Sequence, residues 1–549
     1  MCGRDWSSDV CSSDLQIDFK IQPKCNGKTF IGWTTDGNNL ITVEELNNMI
    51  YQTRETYYAV YEDNTDGFTV TINSGIGEFV DEAKQRKVTN VLFGTLTLDL
   101  EKPIFTVDNL IFSHYEDENG NPITAIEKDI TLFACYGIEV KNIEDLKKIN
   151  DNPSANYVLT DDIVIGEKAA YGNFVDLIEW ESLGKTSVNG FSGKFNGNGH
   201  IIRFNAVVDK LENFGLFAKV SGMIYNLYVG CGFSYQGNLT KEEVIGAFAR
   251  EITSSGRIID CGSAQTVELA ITSNKKITIG GSIGVNYGTI DGFFNSHNGT
   301  IMLENMGTTY LGSIIGSNYG TIKNATQTGR NGSISAVLRR SSETYIGNLA
   351  GYNEGLVEHS FVDRIINVAF VDGANKYSTD AIRISGIVGL NKGLINECTF
   401  DNETFYCQIG DIEIGKDTYL VTLDYDKTGK LDQIMVYVVE ETTQGPMYNL
   451  KYIIYPNEDA VKRGLDYCEE FTYSEFAEAH PYIYNKIDAI NTIIDYNTIT
   501  NNQENGKTNN ISVVDYVGTG NITALASSCN YDEIKWSYLR RLYAINYAK

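Results

Sequence analysis

Proline is scarce in this chain of 549 residues, with 7 in all, and so are histidine, with 5, and tryptophan, with 4. So few prolines leave long stretches free to pair as strands. The histidines, His114, His200, His297, His359 and His480, fall in no His-Glu-x-x-His motif, which removes the zincin type of metalloprotease. A phosphate-binding glycine loop is missing as well. No apolar run approaches the roughly 18 residues of a membrane span, so no membrane insertion is expected within this sequence. Lysine and arginine number 44 against 71 aspartates and glutamates, for a net charge of −27. Nothing basic is clustered enough to neutralise phosphates, which excludes nucleic acid as a partner. The 10 cysteines form no Cys-x-x-Cys and no Cys/His metal spacing, so no metal and no cofactor is expected.

What the chain does have is a repeat. Gly284-Val-Asn286-Tyr-Gly288-Thr-Ile290 returns as Gly316-Ser-Asn318-Tyr-Gly320-Thr-Ile322, Gly351-Tyr-Asn353-Glu-Gly355-Leu-Val357 and Gly389-Leu-Asn391-Lys-Gly393-Leu-Ile395. Degenerate copies end on Gly222 and Gly256, and a period of this length marks a solenoid. Two positions after the last glycine stand Ile224, Ile258, Ile290, Ile322, Val357 and Ile395. Five positions after it stand Leu227, Cys261, Phe293, Ala325, Ser360 and Cys398. Two apolar or small columns separated by variable polar residues are what stacked coils require. The segments are short, β-branched and broken by glycine, which favours a parallel β-helix over helical repeats. The glycines and asparagines are expected at a corner with positive φ, and Asn286, Asn318, Asn353 and Asn391 are placed to form an amide ladder.

These copies resemble the GLUG motif of bacterial cell-surface proteins, most closely at Gly386-Ile-Val-Gly389-Leu-Asn391-Lys-Gly393-Leu-Ile395. The resemblance implies a right-handed parallel β-helix across residues 138–405, with Tyr157–Ile163 and Phe191–Ile201 as its entry coils. Upstream, Phe30-Ile-Gly32-Trp33 with Tyr57-Tyr-Ala59-Val-Tyr61, and Phe68–Asn73 with Phe112–Tyr115 and Thr131–Tyr136, resemble Listeria–Bacteroides repeats. That resemblance implies two small β-grasp-like modules over 16–63 and 64–137, the second departing from the pattern at His114 and Tyr115, with Trp33 as a core residue. Residues 5–15 resemble a translated sequencing adapter, so 1–15 are read as an artefact. Residues 406–549 are read as an α+β region, possibly cut short, in which Tyr419–Tyr437 forms a hairpin and 470–496 a helix broken at Pro481. Asp424-x-Asp426 imitates a calcium loop, but Met435 stands where the bidentate carboxylate belongs.

Chemistry is harder to find. Asp291, Glu358 and Glu397 fall near one another in the repeat but not in one column, as a solvated acidic face would. Cys261 and Cys398 are read as buried thiols, and a Cys398–Cys407 bridge is left open. Between the asparagine and glycine of the core stand Tyr287, Tyr319, Glu354 and Lys392, and the two tyrosines are the candidate ligand-binding residues. No catalytic residue is assigned. The expectation is a mainly β, non-enzymatic, extracellular bacterial surface protein, monomeric, adhesin-like or a stalk, with glycans or host and neighbour-cell proteins as partners. The alternatives are a carbohydrate-active β-helix enzyme and a passive spacer.

Overall fold

The computed structural model describes residues 28–514 apart from several internal stretches, the longest being 46–57, 166–179, 371–381 and 457–467. The adapter-like segment, Cys25, Tyr57, Cys529 and the chain beyond 514 lie outside the described residues. Two compact units are formed, one up to Glu139 with Asn156–Val158, the other from Val140–Ala155 and Leu159–Tyr516.

In the first unit, Lys28–Thr34 pairs antiparallel with Tyr58–Asp63, and the half-buried Trp33 meets Phe30 edge-on at 5.4 Å. A second, mixed sheet runs in the order Gln85–Val91, Phe68–Asn73, Ile130–Val140, Leu110–Glu116, with its central pair parallel. That is the β-grasp strand order. Alternation along these strands turns Val70, Ile72, Tyr115, Leu132, Ala134 and Tyr136 into one core with Phe79 and Ile126.

The second unit is a parallel β-helix with three walls. The first wall stacks seven strands: Phe217–Val220, Ala249–Ile252, Ile283–Asn286, Ile315–Asn318, Ala350–Asn353, Val388–Asn391 and Thr500–Asn502. The second stacks six: Glu243–Gly246, Ile277–Gly280, Thr309–Gly312, Thr344–Gly347, Ile382–Ser385 and Ile494–Asn497. The third carries Ile224, Ile258, Ile290, Ile322, Val357 and Ile395 as register partners, every one with no exposed surface. Each such burial is worth about 1.5–3 kcal/mol relative to exposure. The second expected column, Leu227 through Cys398, is buried throughout. Phe191, Phe195, Phe217, Phe248 and Phe293 continue the interior as a chain of ring contacts.

The amide ladder forms. Asn286 Nδ2 donates to Asn318 Oδ1 at 2.8 Å, Asn318 to Asn353 at 2.7 Å, and Asn353 to Asn391 at 2.8 Å. The reason for the neighbouring glycines is different from the one expected. Gly288, Gly320, Gly355 and Gly393 are absent from the positive-φ residues. A Cβ on Gly320 would instead lie 2.1 Å from the Gly288 carbonyl oxygen of the preceding coil. Close coil-to-coil approach, not left-handed backbone, demands glycine there. The left-handed corner comes four residues later, at Asn226, Asp260, Gly292, Asn324, His359 and Glu397, with φ between 47° and 73°.

The stack also extends beyond residue 405. From Phe405–Ile414 the chain leaves as an antiparallel meander through Asp417–Tyr425, Leu431–Thr442 and Gly445–Tyr455. The helices Tyr473–Ala479 and Pro481–Asn491 follow, the first opened by a Thr472/Glu475 capping box and the second by Pro481 at its first position. Residues 494–514 then return and add a coil, pairing parallel with 382–401. Asn391 Nδ2 donates to Asn502 Oδ1 at 2.8 Å, so the ladder gains a fifth rung.

Candidate functional site

The outward side chains of the first and second walls share one surface. On the second wall Val244, Thr278, Tyr310, Tyr345, Arg383 and Asp495 are in register. On the first, Lys219, Glu251, Val285, Ser317, Tyr352 and Leu390 are in register. Lys219 and Glu251 are each 35% exposed at one end of this column, whereas Val285, Ser317, Tyr352 and Leu390 further along it are buried. The two columns meet where Tyr310 stacks on Tyr352 at 4.8 Å. Tyr345, Tyr352 and Leu390 form a buried cluster there, with Tyr310 and Tyr319 packed against it.

The two residues singled out in the sequence are at the rim of this cluster. The Tyr287 and Tyr319 rings are parallel, 5.0 Å apart at 12°, as one coil laid on the next dictates. Tyr287 is 47% exposed, whereas Tyr319 is half-buried and meets Tyr352 at 5.6 Å. A continuous path of rings therefore runs Tyr287, Tyr319, Tyr352, Tyr310, Tyr345. Cations close it: Lys276 lies 5.1 Å over Tyr310 and Arg383 5.3 Å over Tyr345. The phenols are backed by carboxylates. Tyr345 donates to Glu343 and Tyr352 to Glu354, both at 2.7 Å, and Arg383 Nη1 donates to the Tyr345 oxygen at 2.9 Å. Burial pushes Tyr310 up to about 12. It raises Tyr345 and Tyr352 further, helped by hydrogen bonds to Glu343 and Glu354. All of these phenols are thus neutral donors at physiological pH.

The acidic residues near the third wall do not converge. Asp291 accepts from Asn324 Nδ2 at 2.7 Å, Glu358 pairs with Lys323 at 2.7 Å, and Glu397 meets His359 Nε2 at 2.6 Å. Each is taken up by a neighbouring coil, the arrangement of a solvated face. His200 closes its turn against Gly197 and contacts Asp162 at 3.1 Å. Asp426 accepts from the Lys430 amide within a hairpin turn, as the hairpin reading of Tyr419–Tyr437 expected. The chain was read as having no Gly-x-Ser-x-Gly nucleophile elbow, but Gly280-Gly-Ser282-Ile-Gly284 does satisfy that spacing. Ser282 is fully buried, however, and hydrogen-bonds to Ser263 and Asn295 inside the coil. Cys398 and Cys407 are free and buried, so no bridge joins them.

No family model matches the chain, and no curated protein matches it. Among solved structures it is similar to a protein from Bacteroides ovatus provisionally assigned as an immunoglobulin A1 protease. That match has 13% identity and a TM-score of 0.36, covering 63% of this chain and 88% of that one. It is also similar to a structure named IgA1 Protease, again at 13% identity, with a TM-score of 0.27. That match covers 65% of this chain but only 29% of the other. These names correct one expectation. The chain was read as non-enzymatic, yet both similar structures carry the name of a protease, and the reading is withdrawn. At these scores neither likeness bears on the chemistry of any residue here.

Proposed function

We propose that this is an extracellular bacterial surface protein whose β-helix binds an extended glycan that starts on the exposed Tyr287 ring and runs along the polar rim of the buried tyrosine cluster. The observation that carries the reading is the Tyr287–Tyr319 stack, with Tyr287 half-exposed at the open end of a five-ring path. A pyranose can lie on the outer face of Tyr287, where its axial C–H groups meet the ring. The hydroxyls of neighbouring sugar units then reach Glu354, Glu343 and Arg383, which are already oriented by the phenols. A repeating surface suits a repeating polymer. The resemblance of the coils to GLUG motifs, and of residues 16–137 to Listeria–Bacteroides repeats, supports a surface location and an adhesive role.

The test is a glycan array probed with the full chain beside its Tyr287→Ala/Tyr319→Ala variant. Binding to a defined glycan class that the variant loses is the expected result. Equal binding by both proteins would move the site elsewhere, and no binding by the unaltered chain would overturn the glycan reading.

A further inference from the structure

A second cluster of chemically active side chains lies in the first unit, on the strand pair Leu110–Glu116 and Ile130–Val140. Strand alternation puts His114 and Glu116 on one face and Tyr115 on the other, in the core. A register shift between Phe112 and His114 brings His114 directly opposite Cys135. The result is an imidazole nitrogen, a carboxylate oxygen and a thiol sulfur all within 4.8 Å of one another. None of this is visible in linear spacing, because Cys135 joins the other two only through strand pairing.

His114 and Glu116 are buried, at 7% and 4% exposure, whereas Cys135 is only partly so. His114 Nε2 contacts Glu116 Oε1 at 2.9 Å, and Nδ1 contacts Ser113 Oγ at 2.7 Å. The second contact matters most. A metal-bound histidine is usually fixed by a hydrogen bond at its other ring nitrogen, which sets the tautomer and holds the ring in place. Ser113 is placed to do that for Nδ1 while Nε2 points at the cluster. Sulfur, nitrogen and oxygen donors together suit a borderline ion such as zinc and do not suit magnesium or calcium, which take oxygen alone.

We propose that His114 Nε2, Glu116 and Cys135 Sγ form a divalent metal site of zinc type, positioned by Ser113. On binding, the thiol gives up its proton and the ion takes the place of the His114–Glu116 hydrogen bond. Three ligands among the described residues leave a fourth position, on the partly exposed side at Cys135, for water or an incoming group. The site clamps the two strands at their register shift, independently of any glycan bound to the β-helix.

The test is titration of the metal-stripped full chain with cobalt, whose thiolate complexes absorb in the near ultraviolet. One equivalent should produce the thiolate-to-cobalt band, and zinc should abolish it by displacement. Cys135→Ser should lose the band, while Cys468→Ser, which alters the other partly exposed cysteine among the described residues, should keep it. Ser113→Ala leaves all three ligands in place and should keep the band while weakening affinity about 10–100-fold. A folded, unaltered chain that gives no band would overturn the site even if Cys135→Ser failed to fold. So would a band that survives in Cys135→Ser.

Discussion

Asn318 is the member of the amide ladder whose removal is most informative. Its side chain is fully buried, accepts from Asn286 at 2.8 Å and donates to Asn353 at 2.7 Å. Asn318→Ala strands a donor on Asn286 and an acceptor on Asn353, and each orphaned buried group costs about 1–3 kcal/mol. Asn286 Nδ2 keeps long contacts of 3.4 Å to the Gly288 and Thr321 carbonyls, which soften its loss. The expected destabilisation is therefore about 2–4 kcal/mol. Asn502 supplies the control. It ends the ladder and is exposed, so water can replace its side chain and Asn502→Ala should cost under about 1 kcal/mol. The near-isosteric Asn318→Asp can still accept from Asn286 but cannot donate to Asn353 while ionised. Burial raises its folded pKa above the unfolded value of about 4, so its deficit should shrink as pH falls through that raised value and level off by about pH 4, where the unfolded carboxyl is protonated too. Urea unfolding followed by circular dichroism measures all three. Equal midpoints for Asn318→Ala and Asn502→Ala, or a deficit below about 0.5 kcal/mol, would show that the ladder is decorative.

Gly320→Asn should be as damaging as Gly320→Ala, because both push a Cβ onto the Gly288 carbonyl oxygen; a well-tolerated asparagine in thermal unfolding would restore the positive-φ explanation. Burial lifts the Cys398 thiol to about 11, against an ordinary value of 9.0. The unfolded chain deprotonates first, so this group's contribution to stability falls as pH rises from about 9 to about 11. Urea midpoints across that range should decline more steeply in the unaltered chain than in Cys398→Ala. Of the six described cysteines, Cys135 and Cys468 should react with a thiol reagent in the native state, well ahead of Cys231, Cys261, Cys398 and Cys407. Peptide mapping after labelling checks the order. Truncation after residue 492 should lower the unfolding temperature and promote association, since it uncovers the strand edges at 382–401.

The β-helix was legible because its inward columns repeat residue types at a near-constant interval. Ile224 through Ile395 could be aligned by eye, and the asparagines of the ladder are nearly invariant. The left-handed corner was not legible, since Asn226, Asp260, Gly292, Asn324, His359 and Glu397 share a backbone angle but no chemistry. The returning coil was missed because a meander and two helices separate it from its partners. Its core also reads Asn502-x-x-x-Gly506 in place of Asn-x-Gly. Tyr287 and Tyr319 stood out as adjacent repeats of one position. Tyr310, Tyr345 and Tyr352 did not, because their columns also hold threonine, arginine, serine and leucine. Only the fold of one wall toward the other collects them. The His114–Cys135 pairing likewise needed a strand register that no linear motif encodes.

The late-returning coil has a consequence for how the protein is made. Asn286 and Asn318 are 32 residues apart, but Asn391 must wait 111 residues for Asn502. The longer loop adds about 1 kcal/mol of closure entropy, a small thermodynamic penalty. The delay is the larger effect. At roughly 5–20 residues per second, a ribosome needs on the order of 5–20 seconds to deliver the last rung. During that interval the strands of 382–401 present an unpaired parallel edge, the template on which a second nascent chain could add itself. The order of synthesis thus leaves the strands of 382–401 uncovered until the chain's own later segment returns to pair with them.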